Sequence, residues 1–199
     1  MEFLKKGDLV KLKICQKTVE LFAIYGYHST SFQMIADAVG IKQTNVLYHF
    51  KDKQKLFMAV LEMILMSNYK MVSESMKADM DARERLLAHM KANLEWAIKC
   101  KNEAQVILLL YYFATFDKTF EKIYQKVLEN GRQRIYELYL SGIREGIFFE
   151  DDAEEHSASI HDMLLASVIP FVSRTSKVSS KMKKQVFKKW EVHLDLLTS

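Results

Sequence analysis

The sequence predicts an all-α protein, and three observations lead to that fold class. Its 199 residues include one proline and six glycines, so few positions interrupt a helix. Hydrophobic residues make up 49% of the chain and recur mainly at three- and four-residue intervals, the spacing of one helical face. No segment shows the strict alternation of apolar and polar residues that is typical of a half-buried strand. Together these observations predict about nine helices.

The strongest local signal is a pair of short helices near the N-terminus. Gly26 is expected to end the helix that precedes them, because glycine commonly ends helices. Thr30 is suited to cap the next helix, with Gln33 three residues later as the second half of a capping box. Gly40 then permits a tight turn into a further short helix. This punctuation predicts a helix-turn-helix.

The predicted helices cover, in chain order, about residues 8–25, 31–38, 43–49, 53–77, 82–100, 103–116, 118–146, 152–172 and 177–197. Suitable N-terminal caps precede four of them: Asp52, Asp81 with Glu84, Asn102 and Asp117. Gly131 and Gly142 fall inside the seventh helix, where we expect a break or a close helix contact. We place a domain boundary after the two short helices, which gives domains at residues 1–51 and 52–199.

Positive charge is concentrated near the two short helices. The first 60 residues hold nine Lys and Arg against five Asp and Glu, whereas residues 61–199 hold 20 of each kind. The whole formal charge of +4 therefore lies in the first segment. Such a placement indicates a polyanionic partner for that segment.

Several classes of protein are disfavoured. Cys15 and Cys100 are too few for a disulfide framework or a cysteine metal site, and they fit a reducing cytoplasm. Residues 1–14 alternate lysines with apolar residues and do not form a secretory signal. The longest apolar run, 106–116, is shorter than the ~20 residues of a membrane span. Because catalytic and phosphate-loop motifs are absent, we predict no enzyme, no cofactor, no metal site and no membrane partner.

A dense set of motif residues lies between positions 9 and 58. It consists of Lys11-x-x-Ile14, Leu21-Phe22, Gly26-Tyr27, Thr30-Ser31, Ile35-Ala36, Gly40-Ile41 and Leu47-Tyr48-His49-Phe50-x-x-Lys53-x-x-Leu56. This set resembles the N-terminal pattern of the TetR/AcrR family of bacterial transcription regulators. The resemblance implies a homodimer that places two helix-turn-helix units on a palindromic operator in double-stranded DNA. It also implies that the second domain binds a small, largely apolar effector of unknown identity.

Side-chain chemistry and the resemblance together predict the DNA contacts. Gln43 begins the recognition helix and is expected to read a base, because glutamine can both donate to and accept from adenine. Gln33 is a second candidate for base contact. The remaining predicted contacts, mainly to phosphates, are Thr30, Ser31, Lys42, Thr44, Asn45, Tyr48, His49 and Lys53. Core packing is the alternative for the aromatic pair 48–49, and it is our prediction for Ile35, Ala38 and Phe50.

The predicted effector site is a mostly apolar wall with a few polar anchors. Its candidate residues are His89, Asn93, Trp96, Tyr112, Phe113, Phe116, Tyr136 and His161. An ordinary core or boundary face remains an equally good interpretation of this stripe.

The last two helices are the candidate dimer interface, since the resemblance implies a four-helix contact there. The predicted interface residues are Leu164, Val168, Met182, Val186, Phe187, Trp190 and Leu194. Trp190 and Phe187 would be the central anchors, and burial within one chain is the alternative.

The function that these features favour is a ligand-responsive transcriptional repressor that a small effector releases from its operator. The alternative is a helical protein-interaction module that no longer reads specific DNA. The location of the charge favours the first function, because a module that had abandoned DNA would have little need for it.

Overall fold

The structure, a computed structural model, describes residues 6–173 and 177–198. Within these residues it contains nine α-helices and no β-strand, so the all-α prediction is confirmed. The helices are α1 (Lys6–Ser29), α2 (Phe32–Val39), α3 (Gln43–His49), α4 (Lys53–Glu74), α5 (Ala82–Lys99), α6 (Lys101–Ala114), α7 (Lys118–Arg144), α8 (Ala153–Val172) and α9 (Ser180–Asp195). Residues 1–5, part of the segment predicted not to be a secretory signal, lie outside the described residues.

Most helices begin where their caps predict. The Asp52 carboxylate accepts a hydrogen bond from a backbone N–H of α4 at 2.7 Å. Asp81 and Glu84 form a complete capping box at the start of α5, and Asp117 caps α7. The prediction for Asn102 is wrong. Because α6 already begins at Lys101, Asn102 lies within its first turn.

The described chain divides into two compact units. The first comprises residues 6–67 with 102–109, and the second comprises 68–101 with 110–198. The first unit extends beyond residue 52 because the initial turns of α4 bury Leu56 and Phe57, with Phe57 packed against Phe22 of α1. The sequence boundary between residues 51 and 52 therefore falls inside this unit, and the domain assignment stays a prediction.

Helix α4 is long and apolar enough by composition to cross a membrane, and 33% of its most apolar window is buried. Core helices of soluble proteins reach the same length and hydropathy, so this feature alone is weak evidence for a membrane span. The absence of a membrane partner stays a prediction.

In the second unit, α5 lies antiparallel to α9. Lys183 near the start of α9 pairs with Glu95 near the end of α5 at 2.5 Å. At the opposite end, Asp195 of α9 pairs with Arg83 of α5. The core beneath these pairs includes Trp190, whose side chain is fully buried.

Helix α7 lies antiparallel to both α5 and α8, and its glycines permit close approach. Gly142 leaves room for the ring of Phe148, which stacks on Tyr139 with 4.7 Å between ring centroids. Gly131 similarly faces the imidazole of His161 on α8. A Cβ atom at either glycine would overlap these rings. The predicted close helix contact is confirmed at Gly131, whereas Gly142 approaches Phe148 in the loop that follows α7. Helix α7 continues through both glycines without a break.

Candidate functional sites

Two glycines set the geometry of the helix-turn-helix. Gly26 has φ 79° and interrupts the helical backbone near the end of α1, while Gly40 has φ 76° and ends α2. An L-residue with a side chain rarely adopts such positive φ values. The N–H of Gly40 donates to the carbonyls of Ala36 and Asp37 at 2.9 and 3.2 Å. Both predicted breaks are confirmed.

The start of α2 differs from the prediction. Ser31, not Thr30, is the N-cap, and its hydroxyl accepts from the backbone N–H of Met34 at 3.2 Å. Thr30 is 1% exposed, and its hydroxyl donates to the Gly26 carbonyl at 2.8 Å. The same hydroxyl also lies 3.3 Å from the Leu21 carbonyl, so its hydrogen bonds stay within the unit. The predictions of Thr30 as a cap and as a phosphate contact are therefore both wrong.

Helix α3 is held by its apolar side and presents the rest of its surface to solvent. Val46 is fully buried and Phe50, which follows the helix, is 6% exposed. The residues on the remaining surface are exposed, among them Gln43, Thr44, Asn45, Leu47 and Tyr48. Tyr48 is 84% exposed, so core packing is not its role in this structure.

The buried residues of α2 differ in part from those that the sequence predicted. Ile35 and Phe50 are buried as predicted, but Ala38 is exposed. Ala36 and Val39 are buried instead. At about 100° per residue, Val39 lies about 40° and Ala36 about 100° to one side of Ile35, so the buried arc is centred near Val39. Ala38 lies about 60° to the other side of Ile35 and falls outside that arc.

Lys53 is held against the end of α1. Its ammonium donates to the carbonyl of His28 at 3.0 Å and lies 4.7 Å from the ring centroid of Tyr27. Burial lowers the pKa of the Lys53 ammonium. Tyr27 also packs against Phe22 and Phe57, with 5.4 Å between centroids in each pair. The sequence analysis predicted no role for Tyr27, although Tyr27 belongs to the Gly26-Tyr27 motif.

The other predicted DNA contacts differ in how available they are. Gln33 is exposed, but its amide donates to the Asp37 carboxylate at 2.7 Å, so a base contact would replace that bond. Lys42 is exposed and precedes α3 without capping it through its side chain. The rings of Tyr48 and His49 meet edge to face at 5.2 Å.

The helix-turn-helix residues also match known proteins. Residues 14–60 match the family described as bacterial regulatory proteins, tetR family. Residues 14–60 of this chain therefore form an N-terminal domain of the tetR family. Over 55 residues the chain is 38% identical to RutR, an HTH-type transcriptional regulator of Escherichia coli K12. That match covers 28% of this chain and 26% of RutR, so it spans about a quarter of that curated relative.

Solved structures resemble this chain over nearly its full length. A transcriptional regulator from Saccharomonospora viridis, solved in complex with choline, has a TM-score of 0.82 at 18% identity and covers 96% of this chain and 99% of that chain. A TetR transcription regulator from Haloarcula marismortui has a TM-score of 0.83 at 19% identity, covering 96% and 100%. At these identities the likeness establishes the fold.

The predicted effector residues do not form one wall in this structure. A cavity of about 300 Å³ lies in the second unit, and of the predicted residues His89 lines it. Tyr112 and Phe116 are each 61% exposed, while Trp96 and Phe113 are buried away from it. Helical periodicity identified residues of similar character, but it did not show that they face different neighbours.

The remaining predicted effector residues have other contacts. The amide of Asn93 donates to the backbone carbonyl of His89 at 2.9 Å and its oxygen accepts from Asn68 at 3.1 Å. His161 packs on Gly131, and Tyr136 is half-buried outside the cavity lining.

His89 is the most perturbed histidine near the cavity. Burial, and after it the coulombic effects of Arg134 and His161, lower the pKa of His89 to about 4. The imidazole is therefore neutral near pH 7, with one nitrogen able to donate and the other able to accept.

The predicted interface anchors are buried within the chain. Trp190 and Leu194 are fully buried and Leu164 is 5% exposed, so these three assignments as partner contacts are wrong. The other four predicted residues pack against the same core: Val168, Met182, Val186 and Phe187. The apolar stripe of α9 faces α5, and the opposite face of α9 is exposed.

Proposed function

We propose that this TetR-family chain is a ligand-responsive transcriptional repressor. It binds a palindromic operator as a homodimer, and a small effector releases it. The observation that best supports sequence-specific DNA binding is the exposed surface of α3. Val46 is buried and holds the helix in place, while Gln43, Thr44, Asn45 and Tyr48 are exposed.

The chemistry of that surface fits a DNA major groove. Gln43 stands at the first position of α3, where side chains of recognition helices reach base edges. Thr44 follows it, and Tyr48 lies one turn further on. Ser31 lies at the N-terminus of α2, where a phosphate would meet the positive end of the helix.

Selection of bound duplexes from a random DNA pool tests the proposal. We expect enrichment of a palindrome. Gln43→Ala is expected to lose one to two orders of magnitude of specific affinity and to keep most nonspecific binding, because a good base contact contributes about 1–3 kcal/mol. Gln125→Ala, at an exposed glutamine of α7, is the matched control and should leave binding unchanged.

Two outcomes would contradict this function. A pool without any enriched palindrome would favour the protein-interaction module. Unchanged operator preference in Gln43→Ala would remove the base-reading role of that residue.

For dimerisation, the exposed faces of α8 and α9 support a twofold pairing. Both helices pack on α5, and α8 runs antiparallel to α9. Glu154 and Glu155 are exposed at the start of α8, whereas Lys181 and Lys184 are exposed at the start of α9. The acidic and basic ends are therefore at opposite ends of the pair.

A twofold axis perpendicular to α8 and α9 would place each acidic end beside the partner's basic end. The same axis would bring together the apolar residues at the C-terminal ends: Ile169 is 53% exposed, Val192 51% and Leu196 71%. This arrangement replaces the buried tryptophan as the basis of the proposed interface.

A charge reversal tests the pairing. Lys181→Glu should weaken the dimer, and Glu155→Lys in the same chain should restore it, because the two reversed charges would again be opposite. Sedimentation at several protein concentrations measures the change, expected to be about two- to fivefold for exposed charges. Equal weakening by the single and double variants would contradict the proposed arrangement.

An effector site is proposed for the second unit. The structural neighbour solved with choline supports a small-molecule site in this fold. Helix α4 continues from the first unit into the second, which offers a covalent route between ligand and DNA-binding helices. Loss of operator binding on adding a ligand would support release, while tighter binding would reverse the sign of regulation.

A further inference from the structure

The cavity of the second unit has apolar walls and a small set of charged groups. Its volume of about 300 Å³ lies at the lower end of the range for small-molecule sites. Val72, Met76 and Leu138 provide apolar surface, and Tyr69 contributes an aromatic ring. A ligand that fits these walls is small and has a short apolar body.

Two arginines line the cavity, and they differ in their partners. Arg85 pairs with Glu145 and donates to the Met80 carbonyl at 2.6 Å and to the Ser141 hydroxyl at 3.3 Å. Its hydrogen-bonding capacity is therefore largely used within the chain. The guanidinium carbon of Arg134 lies 4.6 Å from the ring centroid of Tyr69.

Among the described residues no carboxylate lies within ion-pair distance of Arg134. Glu137, one turn further along α7, is the acidic residue that lines the cavity, and it is exposed. Arg134 is half-buried, so its charge is less screened by solvent than that of Glu137. The inner part of the cavity therefore favours an anion.

His89 adds a buried polar group to the same wall. Its side chain is 6% exposed, and its ring makes no hydrogen bond to the part of the chain that the structure describes. A neutral imidazole whose ring makes no such hydrogen bond can donate one to a ligand oxygen. Arg134 raises the positive potential at His89, which also favours a negatively charged ligand there.

We propose that this cavity binds a small organic monocarboxylate, with Arg134 pairing the carboxylate, His89 donating to it and the apolar walls enclosing the hydrocarbon body. One unpaired arginine matches one negative charge, whereas a dianionic phosphate would need further cations. This assignment rests on the proposed function for its regulatory meaning, and it replaces the largely apolar effector expected from sequence.

The test compares matched probes on the purified full chain. Phenylacetate, its neutral analogue phenylacetamide and straight-chain carboxylates from butyrate to octanoate are titrated by calorimetry, with choline as a cationic probe. We expect carboxylates to bind and the amide and choline to bind at least about tenfold more weakly.

Variants assign the binding to this cavity. Arg134→Gln should weaken carboxylate binding at least about tenfold, while Arg134→Lys should retain part of it. Arg132→Gln is the matched control, because Arg132 lies on the same helix but pairs with Asp162 outside the cavity. Glu137→Gln should tighten binding a few-fold by removing a like charge. Melting curves of each free variant establish that it is folded.

The contrary results are specific. Failure of every carboxylate to bind at millimolar concentration, stronger binding of the amide or choline, or equal binding by wild type and Arg134→Gln would each overturn the assignment. Operator selection is measured separately on the ligand-free chain. If the chain binds carboxylates through Arg134 but selects no operator, the ligand site stands and the repressor function is rejected. If the chain selects an operator but binds no carboxylate, only the ligand site is rejected.

Discussion

The first unit exposes most of the side chains predicted to contact DNA, with Thr30 as a buried exception, whereas the second unit buries the central residues predicted to contact a partner. Gln43 and Tyr48 stand on the surface of α3, but Trp190 and Leu194 are enclosed within their own chain. The difference lies in what each sequence pattern specifies. The hydrogen bonds of glycine turns and helix caps form within a few residues of the chain, and they fix which face of a short helix remains exposed. An apolar stripe on a long helix specifies burial, but not whether the same chain or another one buries it.

The largest expected effect concerns the buried aromatic core of the second unit. Trp190→Ala should lower the free energy of unfolding by about 3–5 kcal/mol, because it removes a large aromatic ring from the core. Urea unfolding measures the change, and Gln185→Ala, at an exposed position on the same helix, is the control. Normal unfolding of Trp190→Ala combined with dissociation of the dimer would instead restore its predicted role as an interface anchor.

The sequence predicted the fold well where short-range chemistry decides the structure. Gly40 and Asp81 mark helix ends whose hydrogen bonds close within a few residues, so their effect is visible without tertiary information. The effector site required contacts between residues far apart in sequence. His89 and Arg134 meet at one cavity because α5 and α7 pack together, and periodicity within either helix does not show that pairing.

The burial of His89 in the second unit also predicts that the stability of the fold depends on pH. Burial lowers the pKa of His89 from 6.5 to about 4 in the folded chain. Between these values the unfolded chain binds a proton that the folded chain excludes, so stability is full above pH 6.5 and falls as the pH decreases toward 4. This difference corresponds to about 3 kcal/mol at most.

Chemical denaturation at pH 8 and at pH 4.5 measures this loss. His89→Asn should reduce the difference between the two pH values, since an amide does not titrate. An unchanged difference in the variant would show that other groups cause the acid sensitivity.

The smallest expected effect examines the local chemistry of the first unit. Ser31→Ala should destabilise the chain by about 1 kcal/mol, because the N–H of Met34 would lose its acceptor. Gln33→Ala should have little effect, since Gln33 lies in the first turn and bonds to Asp37 rather than to a cap. Thermal unfolding of the two variants distinguishes this arrangement from the capping box predicted for Thr30 and Gln33. A greater loss in Gln33→Ala than in Ser31→Ala would favour that box and would place the start of α2 one residue earlier.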